Sequence, residues 1–174
     1  HFSTGSKKMQ DIITGAGQQK GKRANWQICN LPGEELKMDD NEMSFEEWQQ
    51  TVPATIRSEK FWTLTAYQKG LYLYDLLWED TEEWRKDERG QVLSKQIIGS
   101  SDSVCSNIEE GFGRGYGKQY LQFYLYSLGS ARETKGRIYR AKAFYSKDIL
   151  DKRLKLASEV VALILTEINR QRGH

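Results

Sequence analysis

The sequence predicts an all-α protein, an antiparallel up-down four-helix bundle with a short helical extension on its N-terminal side. Three observations carry this. Four long stretches place apolar residues at three- and four-residue steps, the spacing of a helix face buried against neighbours. The 174 residues include only two prolines, so little interrupts those stretches. The links between them are short, and short links join antiparallel helices.

Residues 1–43 carry Gly, Lys, Asn and Gln with no sustained apolar period. They read as a tail or linker, disordered or irregular. Met38 and Met43 each offer a start for the natural domain, which would make the stretch before them non-native. Lys20, Lys22 and Arg23 near Trp26 form a small basic arm, either solvated or touching nucleic acid. Order is expected from Ser44. Ser44-Phe-Glu-Glu47 is a capping-box pattern, and it opens a short helix that Pro53 ends. Residues 44–60 are thus a helical extension, with Phe45 and Trp48 packing it onto the bundle.

The bundle is expected over residues 61–172. Its first helix runs from Phe61 to Glu79, with Leu64, Tyr67, Leu71, Tyr74 and Trp78 on the apolar stripe. The acidic stretch Glu79–Arg89 reads as an interrupted helix end or a connection. A second helix, Gly90 to Glu110, holds Leu93, Ile97, Val104 and Ile108 inside. Its middle is small: Gly99, Ser100, Ser101, Ser103 and Ser106. Serine competes for the backbone's hydrogen bonds, so close packing by a neighbour is expected to compensate. The expected neighbour is the centre of the third helix, Gly129-Ser130-Ala131, at less than the usual ~8–10 Å between axes. That third helix, Lys118 to Phe144, is otherwise aromatic, with Tyr120, Phe123, Tyr124, Tyr126 and Tyr139. The fourth runs from Asp148, read as its N-cap, to Arg172. Its stripe is Leu154, Ala157, Val161, Ile164, Leu165 and Ile168.

Composition narrows the function. No apolar run approaches the ~18 residues of a membrane span. Cys29 and Cys105 lie far apart and read as free thiols in a reducing compartment, the cytoplasm by default. The two histidines are His1 and His174, so the bundle has no triad, zinc motif or imidazole base. Glu109, Glu110 and Glu133 lack the Glu-x-x-His pattern of di-iron bundles. Glu110 and Glu133 are expected to cap, or to pair with Arg114, Arg132 or Arg137. No enzymatic activity, cofactor or metal is expected.

Gly111-Phe-Gly-Arg-Gly-Tyr-Gly117-Lys118 is glycine-rich and opens a helix, as phosphate loops do. It departs from the Walker spacing, with Phe112 where a glycine is needed and Gln119 where Ser or Thr is needed. Two readings stay open: a flexible helix–helix connection, or a phosphate of RNA or DNA gripped by Arg114, Lys118 and free amides. Charge is lopsided. Residues 44–110 hold 7 Lys/Arg against 13 Asp/Glu, and residues 111–174 hold 13 against 5, balances of −6 and +8 by subtraction. Antiparallel helices either mix these charges or leave a basic face.

The run Ser103 to Glu133, SVCSNIEEGFGRGYGKQYLQFYLYSLGSARE, resembles the signature of the four-helix bundle family founded on the 23S rRNA intervening-sequence proteins. Ser103, Val104, Asn107, Ile108, Glu110, Gly111, Gly113, Arg114, Phe123, Gly129, Ser130 and Glu133 match it. Upstream, LTAYQKGLYLYDL resembles the family's opening helix. Glu109 departs from the signature's small Ala, and Ser44 to Lys60 extends beyond the common core. The resemblance implies an up-down bundle that assembles into a ring, commonly a pentamer. It also implies kinship with the accessory proteins of diversity-generating retroelements, which bind a reverse transcriptase and nucleic acid through a basic surface. The expected function is nucleic-acid binding, to structured RNA or an RNA–protein complex, through Arg114, Lys118, Arg132, Arg137, Arg140 and Lys142. Asn107, Glu110, Gly111, Phe123, Gly129, Ser130 and Glu133 would serve the fold. The alternative is a protein-interaction scaffold that presents acidic and aromatic side chains to a protein partner.

Overall fold

A computed structural model describes residues 42–115 and 117–172 of the chain. The tail read over residues 1–43, with its basic arm and Cys29, lies outside the described residues except for Glu42 and Met43. Among the described residues, every regular element is helical.

Helix α1, Phe45–Thr51, starts where the capping box predicts. Ser44 Oγ accepts from the Glu47 amide at 3.3 Å, and Glu47 Oε2 accepts from the Ser44 amide at 3.0 Å. Pro53 closes it and opens the single turn α2, Ala54–Arg57. A 3-10 turn, Lys60–Thr63, precedes α3, Thr65–Asp80. The first long helix therefore begins four residues later than Phe61. Leu64 is extended at this point, and Gln68 Nε2 donates to the Trp62 carbonyl at 2.6 Å, which holds the turn.

Helix α3 buries two faces. Tyr67, Leu73 and Leu77 enter the main core. Tyr72 and Leu76 meet Trp48 and Val52 of the extension in a second cluster. This corrects the predicted stripe: Tyr74 is only half-buried and Trp78 is 55 % exposed. Large side chains alone suggest that stripe, whereas Gly70, which has none, is buried against the next helix. A Cβ there would stand 3.3 Å from Val104 and from the Cys105 sulfur.

The stretch after α3 is more than a connection. Its 3-10 turn, Glu83–Lys86, drives Trp84 into the end of the core, 5.2 Å from the Phe144 ring and 4.8 Å from Tyr145. Helix α4, Glu88–Gly113, follows, capped by Asp87, which accepts from the amides of Arg89 and Gly90. Helix α5 spans Lys118–Arg140 and gives way to a 3-10 turn, Lys142–Phe144, so it stops short of the expected end. Helix α6 is Lys147–Arg172. Asp148 sits in its first turn, and Ser146 Oγ is what accepts the Ile149 amide, at 3.3 Å.

The four long helices form a bundle in which α3 packs on α4 and α6, and α5 packs on α4 and α6. Tyr67 meets Glu109 at one end of the α3–α4 pair, while Thr81 meets Ser94 at the other. Asp80 meets Arg153, and Lys69 meets Glu159, across α3 and α6. Both pairs run in opposite directions. The small faces of α4 and α5 do meet, through Ser100 and Ala131 as predicted and through Ser127 and Thr134, which were not. Ser127 Oγ donates to the Val104 carbonyl at 2.8 Å, and Thr134 Oγ1 to Ser100 Oγ at 3.0 Å. Ala131 is buried between them, whereas a Cβ on Gly99 or Gly129 would meet nothing within 4 Å. Buried serines thus keep their hydroxyls satisfied on backbone carbonyls, and Ser100 also accepts from Thr134.

Arg153 anchors the extension. It is 4 % exposed, donates to both Asp80 oxygens at 2.8 and 2.9 Å, and reaches Glu42 at 2.8 Å. Tyr145 adds a hydrogen bond to Asp80 at 3.0 Å. Burial disfavours the guanidinium charge, but Asp80 and Glu42 outweigh it and hold the pKa above the ordinary arginine value.

Candidate nucleic-acid interface

The six basic residues read from the sequence do not gather in one patch. Helical rise puts Lys118 and Arg140 about 33 Å apart along α5. Arg114 sits at the C-cap of α4, beside Lys118, at one end of the bundle. Arg137, Arg140 and Lys142 lie at the other end.

Two of the six are committed to their own fold. Arg114 pairs with Glu110 at 2.7 Å and lies over the Phe123 ring, 5.7 Å from its centroid. Arg137 is only 19 % exposed at its side chain; it pairs with Glu133 at 2.5 Å and donates to the Gln96 carbonyl of α4. A third, Lys142, rests over Tyr139 at 4.7 Å and stays exposed. The remaining three differ. Lys118, Arg132 and Arg140 are exposed, and among the described residues none has a carboxylate partner. At about 100° per residue they fall within about 80° of one another around the helix, so they form one stripe. Arg140 lies back over Gly136, its guanidinium 3.2 Å from where a Cβ would stand.

The glycine loop is a tight helix-to-helix turn. Gly115 and Gly117 have φ of 88° and 90°, the left-handed region that disfavours side chains. Gly111 is a packing residue inside α4, where a Cβ would meet the Phe123 Cβ at 3.2 Å. Among the described residues no group of three or more His, Cys, Asp or Glu could hold a metal ion. Cys105 is buried, and burial pushes its thiol well above the ordinary value. No helix among the described residues is long and apolar enough to cross a membrane.

Residues 63–166 match the family model described as 23S rRNA-intervening sequence protein. The chain belongs to this family. No curated protein matches it, and no solved structure does. The match spans α3, α4 and α5 and most of α6, and it leaves out the extension.

Within the family signature, several residues make bonds within their own helix. Asn107 donates to the Ser103 carbonyl at 2.6 Å, and Ser130 accepts from Thr134 through its own carbonyl at 2.9 Å. Glu110 and Glu133 pair with arginines one turn on. Glu109, the departure from the signature, accepts from Tyr67 Oη at 2.7 Å and so ties α4 to α3. Burial, then this bond, pushes the Tyr67 phenol far above its ordinary value. Gly129 is the exception, exposed and out of contact with any neighbouring helix. Sequence reasoning missed Lys95 and the exposure of Trp78. Trp78 sits at the spacing of the core stripe, and that spacing concealed it.

Proposed function

We propose that the protein is a non-enzymatic, antiparallel up-down four-helix bundle that binds nucleic acid, with structured RNA as its substrate class. The observation that carries this is the stripe of Lys118, Arg132 and Arg140 along α5, exposed and unpaired among the described residues. Its length of about 33 Å suits phosphates spaced along a helical backbone. The family's description, which names a 23S rRNA intervening sequence, points in the same direction. Arg114, Arg137 and Lys142 contribute less, because each is already engaged within the fold.

The protein acts in the cytoplasm as a ring-like homo-oligomer, a pentamer in this reading, so that the stripe repeats and its field adds. Exposed Tyr126 and Tyr139 on the same helix, 53 % and 55 % exposed, supply assembly surface. They also favour a second reading, a scaffold that docks a protein such as a reverse transcriptase and touches no nucleic acid itself.

Binding to a labelled structured RNA across a salt series separates the two. The first reading predicts submicromolar affinity at low salt and a steep linear fall of log K with log salt. Affinity that is absent at low salt would leave the scaffold.

A further inference from the structure

Away from the α5 stripe, an open cleft of about 920 Å³ lies between the end of α3, the Glu83–Lys86 turn and the N-terminal half of α4. One wall is Trp78, 55 % exposed, with the Tyr74 ring 6.1 Å away behind it. The floor is Ile98 and Gly99, where a Cβ would meet no atom within 4 Å. Lys95, Arg85 and Lys86 line the same cleft, together with Glu82. Lys95 is exposed and has no carboxylate partner among the described residues. Arg85 reaches Glu82 only at 3.6 Å, with both side chains about two-thirds exposed; Lys86 pairs with Glu83 in the same exposed setting. Such surface pairs are weak and yield readily to a better anion.

We propose that this cleft takes one unstacked nucleotide of a single-stranded RNA segment, its base on Trp78 and its phosphate between Lys95 and Arg85. The proposal rests on the reading that the protein binds nucleic acid, and it adds a second, base-stacking contact to the backbone-tracking stripe. An exposed indole offers a π-face that any base can use, and cations beside it hold the adjoining phosphate. A duplex cannot offer that face, because its bases are stacked on each other. The lining also argues against a helical peptide. A helix in a groove needs a row of apolar anchors at turn spacing, and here the apolar lining is Trp78 and Ile98 among charges.

Fluorescence anisotropy of the full chain tests this with a labelled unstructured 12-nucleotide RNA and a labelled blunt-ended RNA duplex. Trp78→Ala is expected to weaken the single strand about 10-fold and Trp78→Phe much less. Lys95→Gln is expected to lower the salt slope by about one. Duplex affinity should hold in all three. Unchanged single-strand affinity in Trp78→Ala and Lys95→Gln would overturn the cleft and leave the nucleic-acid reading standing. Failure of the unaltered protein to bind either RNA at low salt would overturn both. A Trp78→Ala variant whose sedimentation changes while its RNA affinity does not would assign the cleft to a second copy of the chain and overturn the proposal.

Discussion

Glu109 stands where the family signature carries a small residue, and its bond to Tyr67 is the reason it can do so. A hydrogen bond to a carboxylate contributes about 1.5–3 kcal/mol when its partner is shielded. Glu109 is exposed, which puts this one at the lower end. Glu109→Ala and Tyr67→Phe are each expected to cost about 1 kcal/mol, and the double variant no more than either alone. Urea titration of the four proteins checks this, and full additivity would show that the bond contributes nothing. Asp87 gives a pH signature. Its bonds to Arg89 and to the Gly90 amide bring its carboxyl down to about 2 from 3.8. A depressed folded pKa means stability that is present above about 3.8 and lost as pH falls toward 2. Asparagine also caps a helix but does not titrate. Asp87→Asn should therefore lose less of its melting temperature between pH 4 and pH 2 than the unaltered protein. The helix start at Asp87 was not legible, because Glu79–Arg89 reads as an interrupted helix end or a connection and the next helix is expected only from Gly90. The caps at Ser44 and Pro53 were legible, since each rests on bonds within four residues.

At the scale of elements, two glycines make opposite predictions. A Cβ on Gly90 would lie 2.0 Å from the Trp84 carbonyl, a backbone atom that cannot step aside. Gly90→Ala should cost about 3 kcal/mol, with the Trp84 turn displaced from the core. A Cβ on Gly129 meets nothing within 4 Å, and helical Gly→Ala at an exposed position stabilises by about 0.5–1 kcal/mol. Thermal melts of the two variants should therefore move in opposite directions. Trp48 stacks on Phe45 and donates to Asp75 at 2.8 Å. Trp48→Ala should cost about 3–5 kcal/mol and release the extension to proteolysis while the long helices persist; simultaneous loss of all helices in limited digestion would count against two separate clusters. The four long helices and their order were legible because a 3.6-residue period survives noise, whereas α2 and the 3-10 turns are too short to show one. Which small residues meet was legible only in part. Ser100 and Ala131 lie at the expected contact, but the places of Ser127 and Thr134 in it are set by tertiary packing that a single helix's pattern does not encode, and Gly99 and Gly129, though small, stay outside it.

At the scale of the molecule, the charge imbalance of the sequence becomes an arrangement only once the helices are packed. Of 13 cations after Glu110, Arg153 is buried in the Asp80–Glu42 network and Arg137 ties α5 to α4. Three others line the outer face of α5. Counting charge along the chain could not separate these roles, because a guanidinium's use depends on which carboxylate the fold brings to it. The proposed RNA binding requires that the placement of cations on α5, rather than net charge, decide the affinity. The most direct test compares two variants that lose the same charge from different helices. One is Lys118→Gln with Arg132→Gln and Arg140→Gln; the other is Lys60→Gln with Lys152→Gln and Lys155→Gln. Binding to structured RNA should weaken at least about 10-fold, and the salt slope should fall by about three, in the first variant only. Equal losses in both, or none in either, would contradict the assignment of the α5 stripe as the binding surface.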